Sequence, residues 1–284
     1  MTDSSVQFLY PSSVQHLEIT IVPMTIRFGR ERLVDGLDLD ADMFFHRVLT
    51  DGMPRPELIA PTVADYAAVF SQAAPLADGI LVLPMARGMS ESFRHAQLAA
   101  QALMGRCEIA VIDSMTTSVG LGFLVEEAAR AAHEHDSLEQ VVRIVRGAVP
   151  RVYSVFYVET LDYIFHANLI GEAQAILGKM LGIKPFLTIE DGELVTMEKA
   201  RTRNQAIDKL LEFVSEFSHL DKMVILQNTP HLTEQARLLQ DRLALEFNGR
   251  DFPIMMYGPA LGTHLGPDGV GLVIFEGEAE DDEL

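Results

Sequence analysis

A second cysteine is missing from this 284-residue chain, so Cys107 has no partner for an internal disulfide. That absence suits a reducing compartment. No run of about 18 apolar residues could cross a bilayer as a helix, and no secretory signal is read at the start. Positive charge is scarce: 22 Lys and Arg stand against 41 Asp and Glu, a formal charge of −19. A nucleic-acid backbone or an anionic membrane would be repelled, which sets aside nucleic-acid binding and membrane insertion. The nine histidines show no metal-ligand spacing, so neither a metal nor another cofactor is expected. Internal repeats are absent as well. What remains is a cytoplasmic protein, 48% hydrophobic and long enough for two compact domains.

Short apolar runs alternate with longer amphipathic stretches. Ile19–Ile26, Gly79–Met85, Ile109–Asp113 and Met223–Leu226 read as buried strands. Ser90–Leu103, Val119–His133 and Ser137–Ala148 have helical spacing, the last opening on a Ser137-Leu-Glu-Gln140 capping box. This alternation predicts a parallel α/β first domain over residues 1–150. Beyond it, Val152–Thr160 is strand-like, Gly171–Leu181 helical, and Pro185–Met197 a hairpin turning at Asp191-Gly192. With the amphipathic helix Thr233–Phe247, these predict an α+β second domain over residues 151–276. Residues 277–284 form an acidic tail, part of a stretch with six carboxylates between Glu276 and Glu283.

Candidate chemistry collects at helix N-termini after strands, where free amides and the helix dipole favour negative charge. Arg87-Gly88-Met-Ser90-Glu-Ser92 occupies one such position, with Ser90 or Ser92 able to meet a carboxylate or simply to cap a helix. Asp113–Gly122 occupies another, although its Gly-x-Gly lacks the third glycine of a dinucleotide fingerprint. Arg201-Thr-Arg203 could hold an anion, or pair with Glu190, Glu193 or Glu198. Between Gly258 and Gly271, five glycines and two prolines surround Thr263 and His264, a loop able to hold both side chains in one place. Gly88-Met-Ser90-Glu-Ser92 also approaches a nucleophile elbow. With Asp113 and His264 following in order, a serine hydrolase is the alternative function.

Several ordered motifs resemble the DegV family of fatty-acid-binding proteins over nearly the whole chain. They are Thr2-Asp-Ser-Ser5, Asp35-Gly36, Ile112-Asp-Ser114, Glu159-Thr-Leu-Asp-Tyr163, Ile170–Gly178 with Ile183-Lys-Pro185, Arg201-Thr-Arg203 and Gly262-Thr-His264. The resemblance implies a two-domain α/β fold with a long-chain fatty acid between the domains. It implies a carrier rather than an enzyme, serving a separate ATP-dependent fatty acid kinase. The implied ligand-binding residues are Thr62, Arg87, Gly88, Ser90, Ser92, Arg201, Arg203, Thr263 and His264. Some family features have changed. Ile59 and Ala86 stand where hydroxyls are expected, and the family's basic stretch before Ile170 becomes Phe165-His-Ala-Asn-Leu169. Arg87 is the expected replacement partner for a carboxylate. Because Met1-Thr2 begins where the family's first strand should end, either the start lies upstream or the sheet loses that strand. A further alternative is a member whose ligand binding is altered or lost.

Overall fold

Runs rich in Val, Ile and Leu become strands because their side chains pack well on a pleated, half-buried surface. The computed structural model of the chain describes residues 1–103, 105, 107–135, 137–171, 184–247, 250 and 252–277. Most of the expected helix Gly171–Leu181, the motif through Gly178 and Ile183, and the tail beyond Gly277 lie outside the described residues.

The first half opens with β1 (Thr2–Asp3), α1 (Pro11–Val14), β2 (Ile21–Val22), β3 (Thr25–Phe28), β4 (Glu31–Val34) and α2 (Ala41–Val48). It continues with β5 (Pro56–Ile59), α3 (Val63–Ala73), β6 (Gly79–Val82), α4 (Ser92–Ala102), β7 (Glu108–Val111), α5 (Ser118–Glu134) and α6 (Leu138–Ala148). Strands β1 and β2 pair in parallel, as do β6 and β7, and a Thr2–Leu83 bridge joins the two pairs. The resulting order is β2-β1-β6-β7. The first strand is therefore kept, at two residues, and it runs through the middle. The run Ile19–Ile26 does not stay whole, because Pro23 removes a ladder donor between β2 and β3. Strand β3 turns away instead and pairs antiparallel with β4 and β5.

The second half runs β8 (Val152–Tyr157), α7 (Asp162–His166), β9 (Lys184–Glu190), β10 (Glu193–Ala200), α8 (Arg203–Ser215) and β11 (Leu220–Gln227). It closes with α9 (Glu234–Glu246), β12 (Ile254–Met256), α10 (Pro259–Leu265) and β13 (Val270–Glu276). Six of these strands form one sheet in the order β10-β9-β8-β13-β11-β12, antiparallel apart from the β11–β12 pair. The hairpin turns where expected, with Asp191 and Gly192 both at positive φ (51° and 81°), as a type I′ turn requires. One apolar core joins the halves, bringing Met85, Val119 and Leu124 together with Phe156, Leu261 and Val273. A second fills the space between the six-stranded sheet and α8 and α9.

The glycine-rich Gly258–Gly271 segment corrects the expectation of a loop, since residues 259–265 form the buried helix α10. Proline at the first helical position is already set for the helix, and Gly266 at φ 76° ends it. The glycine of α5 at Gly122 shows how closely the halves of the first domain meet. A Cβ there would lie 2.0 Å from the Gln7 carbonyl oxygen. Gly122→Ala is expected to lower stability by about 1–3 kcal/mol, measured by chemical denaturation. A variant as stable as wild type would show that α5 does not press on that backbone.

Candidate functional site

Parallel strands deliver the loops that follow them to one edge of the sheet. Here the segments after β1, β6 and β7 converge there, and they organise around Asp3, whose side chain is fully buried. Its carboxylate accepts from the Ser5 amide (3.1 Å) and hydroxyl (2.6 Å), the Met85 amide (2.9 Å) and the Ser92 hydroxyl (2.5 Å). Ser92 gives its one proton to Asp3, so the Tyr66 hydroxyl, 2.6 Å away, must donate to Ser92. The Ser92 amide in turn donates to Ser90 Oγ at 3.2 Å. Beside this network Ser4 donates to Asp35 at 2.8 Å. Burial pushes the Asp3 and Asp35 carboxyls up, Asp35 to about 6.

The facing wall comes from α10. Thr263 Oγ1 donates to the Ala260 carbonyl at 2.8 Å, and His264 Nδ1 lies 3.0 Å from that carbonyl and 3.1 Å from the Thr263 oxygen. His264 Nε2 lies 3.2 Å from the Met89 carbonyl on the loop leading to Ser90, so each ring nitrogen faces a carbonyl oxygen and the tautomer decides which one donates. Burial holds the ring's pKa below its ordinary value. Loop and hairpin also touch: a Cβ on Gly88 would come within 2.6 Å of the Gly192 carbonyl oxygen. A cleft of about 350 Å³ opens beside Gly88, walled by Asn168, Leu169, Ile170 and residues 193–196 of β10. Asn168 sits at φ 59°, a left-handed position that asparagine tolerates better than most residues.

Among the expected site residues, Gly88, Ser90, Ser92, Thr263 and His264 are thus brought together. Thr62 is exposed and caps α3, with its hydroxyl and amide both tied to Asp65. Arg87 is largely exposed and faces Asp113 (Nε to Oδ2, 3.3 Å) instead of compensating for the lost hydroxyls. Arg201 is exposed at the start of α8, where its amide donates to Gln205. Arg203 reaches Glu159 at 3.0 Å rather than Glu190 or Glu193, because β8 runs between the hairpin and β13, while the Glu198 side chain lies outside the described residues. Glu159 also takes Lys184 and the Tyr157 hydroxyl. Burial pushes its carboxyl up, but those hydrogen bonds outweigh it and leave it below the usual range. The Ser90, His264 and Asp113 relay of a hydrolase is not assembled: no hydrogen bond joins the three among the described residues. The missed participants are Asp3, Ser5, Tyr66 and Asp35. A polar Asp-Ser-Ser run beginning at the end of a buried central strand is the signal that could have found Asp3 and Ser5.

Comparison with known proteins gives one answer. The profile described as "Uncharacterised protein, DegV family" matches residues 1–277. A DegV domain-containing protein of Caldanaerobacter subterraneus subsp. tengcongensis is 29% identical over 260 residues, 91% of each chain. A Thermus thermophilus structure described as "Fatty Acid Binding of a DegV family Protein" superposes with a TM-score of 0.83. It is 25% identical and covers 97% of this chain and 98% of that one. The Streptococcus pneumoniae Fatty Acid Kinase (Fak) B3 protein, loaded with linoleic acid, has a TM-score of 0.80 at 19% identity. The coverages there are 97% and 98%.

The buried acids set a pH dependence. Asp35 binds its proton more tightly folded, at about 6, than unfolded, near 4, so its contribution is complete below about pH 4 and lost as pH rises through 6. Asp35→Asn is therefore expected to gain roughly 3 kcal/mol on wild type between pH 4 and pH 7, measured by urea unfolding at each pH. A difference that stays flat would mean the folded protein ionises Asp35 without penalty.

Proposed function

The chain belongs to the DegV family, and we propose that it carries one long-chain fatty acid between its two domains. The observation that carries this reading is the hydrogen bond between His264 on α10 and the Met89 carbonyl, one residue before Ser90 on the loop after β6. The Ser90 oxygen accepts the Ser92 amide, leaving its proton to donate to a head group. The acyl chain would run from there along the cleft beside Gly88, between walls supplied by residues 1–150 and 151–276. Removing about 14 methylenes from water at roughly 0.8 kcal/mol each supplies ample affinity. The Thermus thermophilus relative, described by its fatty acid binding, supports the ligand class. The kinase named for the pneumococcal protein supports a fatty acid kinase as partner, with this chain as carrier rather than catalyst. The relay of a hydrolase has no such support, since His264 directs both ring nitrogens toward carbonyl oxygens.

We further propose that the protein works in the cytoplasm and that Ser90, Ser92, Thr263 and His264 form the head-group end. Thr62, Arg87, Arg201 and Arg203 would act only through caps and ion pairs. Solvent extraction of the purified protein followed by mass spectrometry should release a long acyl chain at close to one per protein. Ser90→Ala should weaken rebinding of oleic acid about fivefold to tenfold, the effect of one hydrogen bond. Correctly folded protein that is repeatedly empty and cannot be reloaded would sink the proposal.

A further inference from the structure

A second open cleft, of about 310 Å³, lies between α5, the start of β11 and the approach to β12. Three cations line it, Arg130, Lys222 and Arg250, in a chain whose formal charge is −19. Only two carboxylates, Glu126 and Asp221, line it with them. Glu126 is buried and shared, with Lys222 Nζ at 3.7 Å and Arg130 Nη2 at 3.9 Å. Both gaps are too long for a hydrogen bond. Arg250 donates to the Leu220 and Asp221 carbonyls at 3.0 and 3.1 Å, and among the described residues no carboxylate pairs with it. Arginines elsewhere, such as Arg27, Arg47 and Arg242, already meet acids at close range. This cleft therefore holds cationic charge that the surrounding chain leaves undermatched.

The chain also delivers a counter-charge to its rim. Strand β13 runs antiparallel to β11 with Glu276 opposite Leu220, and the Gly277 amide donates to the His219 carbonyl at 2.9 Å. A Cβ on Gly277 would lie 3.9 Å from the Asp221 amide nitrogen. The chain thus leaves the sheet beside the two residues whose carbonyls hold Arg250. Residues 278–283, Glu-Ala-Glu-Asp-Asp-Glu, follow at once and carry five carboxylates. Six extended residues reach about 20 Å, and attachment at the rim gives them an effective concentration on the order of millimolar.

We propose that the acidic segment 278–283 docks in this cleft, its carboxylates meeting Arg250, Lys222 and Arg130. The contact clasps the end of the second half onto α5 of the first. It is independent of the acyl-lipid reading. Because these ion pairs lie near the surface, salt releases them.

The chain has no tryptophan, so Ala279→Trp in the full-length protein supplies a single reporter that Leu9, Phe123 and Phe252 can shield. Its emission and acrylamide quenching are compared at 10 mM and 1 M NaCl, where the Debye length falls from about 30 Å to about 3 Å. At low salt the emission should be blue-shifted and quenching about threefold weaker, the order of one or more exposed ion pairs. Arg250→Glu and the gentler Arg130→Glu, each checked for folding by circular dichroism, should remove that protection. Arg237→Glu, exposed on α9 and outside the cleft, should leave it. Full quenching at both salts in folded protein would overturn the proposal. So would protection that survives both cleft variants, since the segment would then lie elsewhere. Protection that rises with protein concentration would overturn it as well, by placing the segment in the cleft of a second copy.

Discussion

An ionised carboxylate cannot be buried without partners, and Asp3 is the group on which the rest of this structure is arranged. Its four donors come from Ser5, Met85 and Ser92, so one side chain ties the end of β1 to the segment after β6 and to the first residue of α4. Through Ser92 the same network reaches Tyr66 on α3. Loss of any one donor would leave a buried polar group unsatisfied, which is why these loops have little freedom to move independently. The positions of Ser90 and of the Met89 carbonyl follow from that constraint. They are set from below, by a buried acid, before any ligand is considered.

Helix α10 meets this fixed platform from the other half of the chain. Its seven residues are all buried, and Gly262 packs so closely on Phe44 that a Cβ would come within 2.5 Å of the ring. A histidine held by Ala260, Thr263 and Met89 is a positioned hydrogen-bonding group rather than a mobile base. The same placement explains why a Ser, Asp, His order in the sequence does not become a relay. Asp113 is turned toward Arg87, while both imidazole nitrogens are engaged by carbonyl oxygens. Order along a chain carries no geometry by itself; the geometry comes from which strand each residue follows.

Much of the fold was legible. The hairpin at Asp191-Gly192 follows from the turn's need for two positive φ angles, and α6 follows from Ser137 and its capping partner Gln140. The helix at residues 259–265 was not legible, because five glycines suggested backbone freedom where Pro259 and Gly266 act as start and stop. At the site, Ser90 and His264 stood out through unusual neighbours, whereas Asp3 and Tyr66 did not. Their roles depend on partners 89 and 26 residues away, a separation that no local pattern reports. Arg203 illustrates the same limit. Nearby acids were the obvious partners, yet sheet order brought Glu159, 44 residues away, to it instead.

Gln7 shows what this architecture means for the order of assembly. Its side chain donates to the Met256 carbonyl and accepts from the Gly258 amide and the Ser118 hydroxyl, spanning sequence separations of 249, 251 and 111 residues. Loops closed over such distances carry an entropy penalty that grows with length, and contacts of this kind slow the search for the native state. During synthesis, the first domain's loops emerge long before α10 exists to face them. A nascent chain can therefore build its sheets early, but the pocket's two walls meet only after almost the entire polypeptide has left the ribosome.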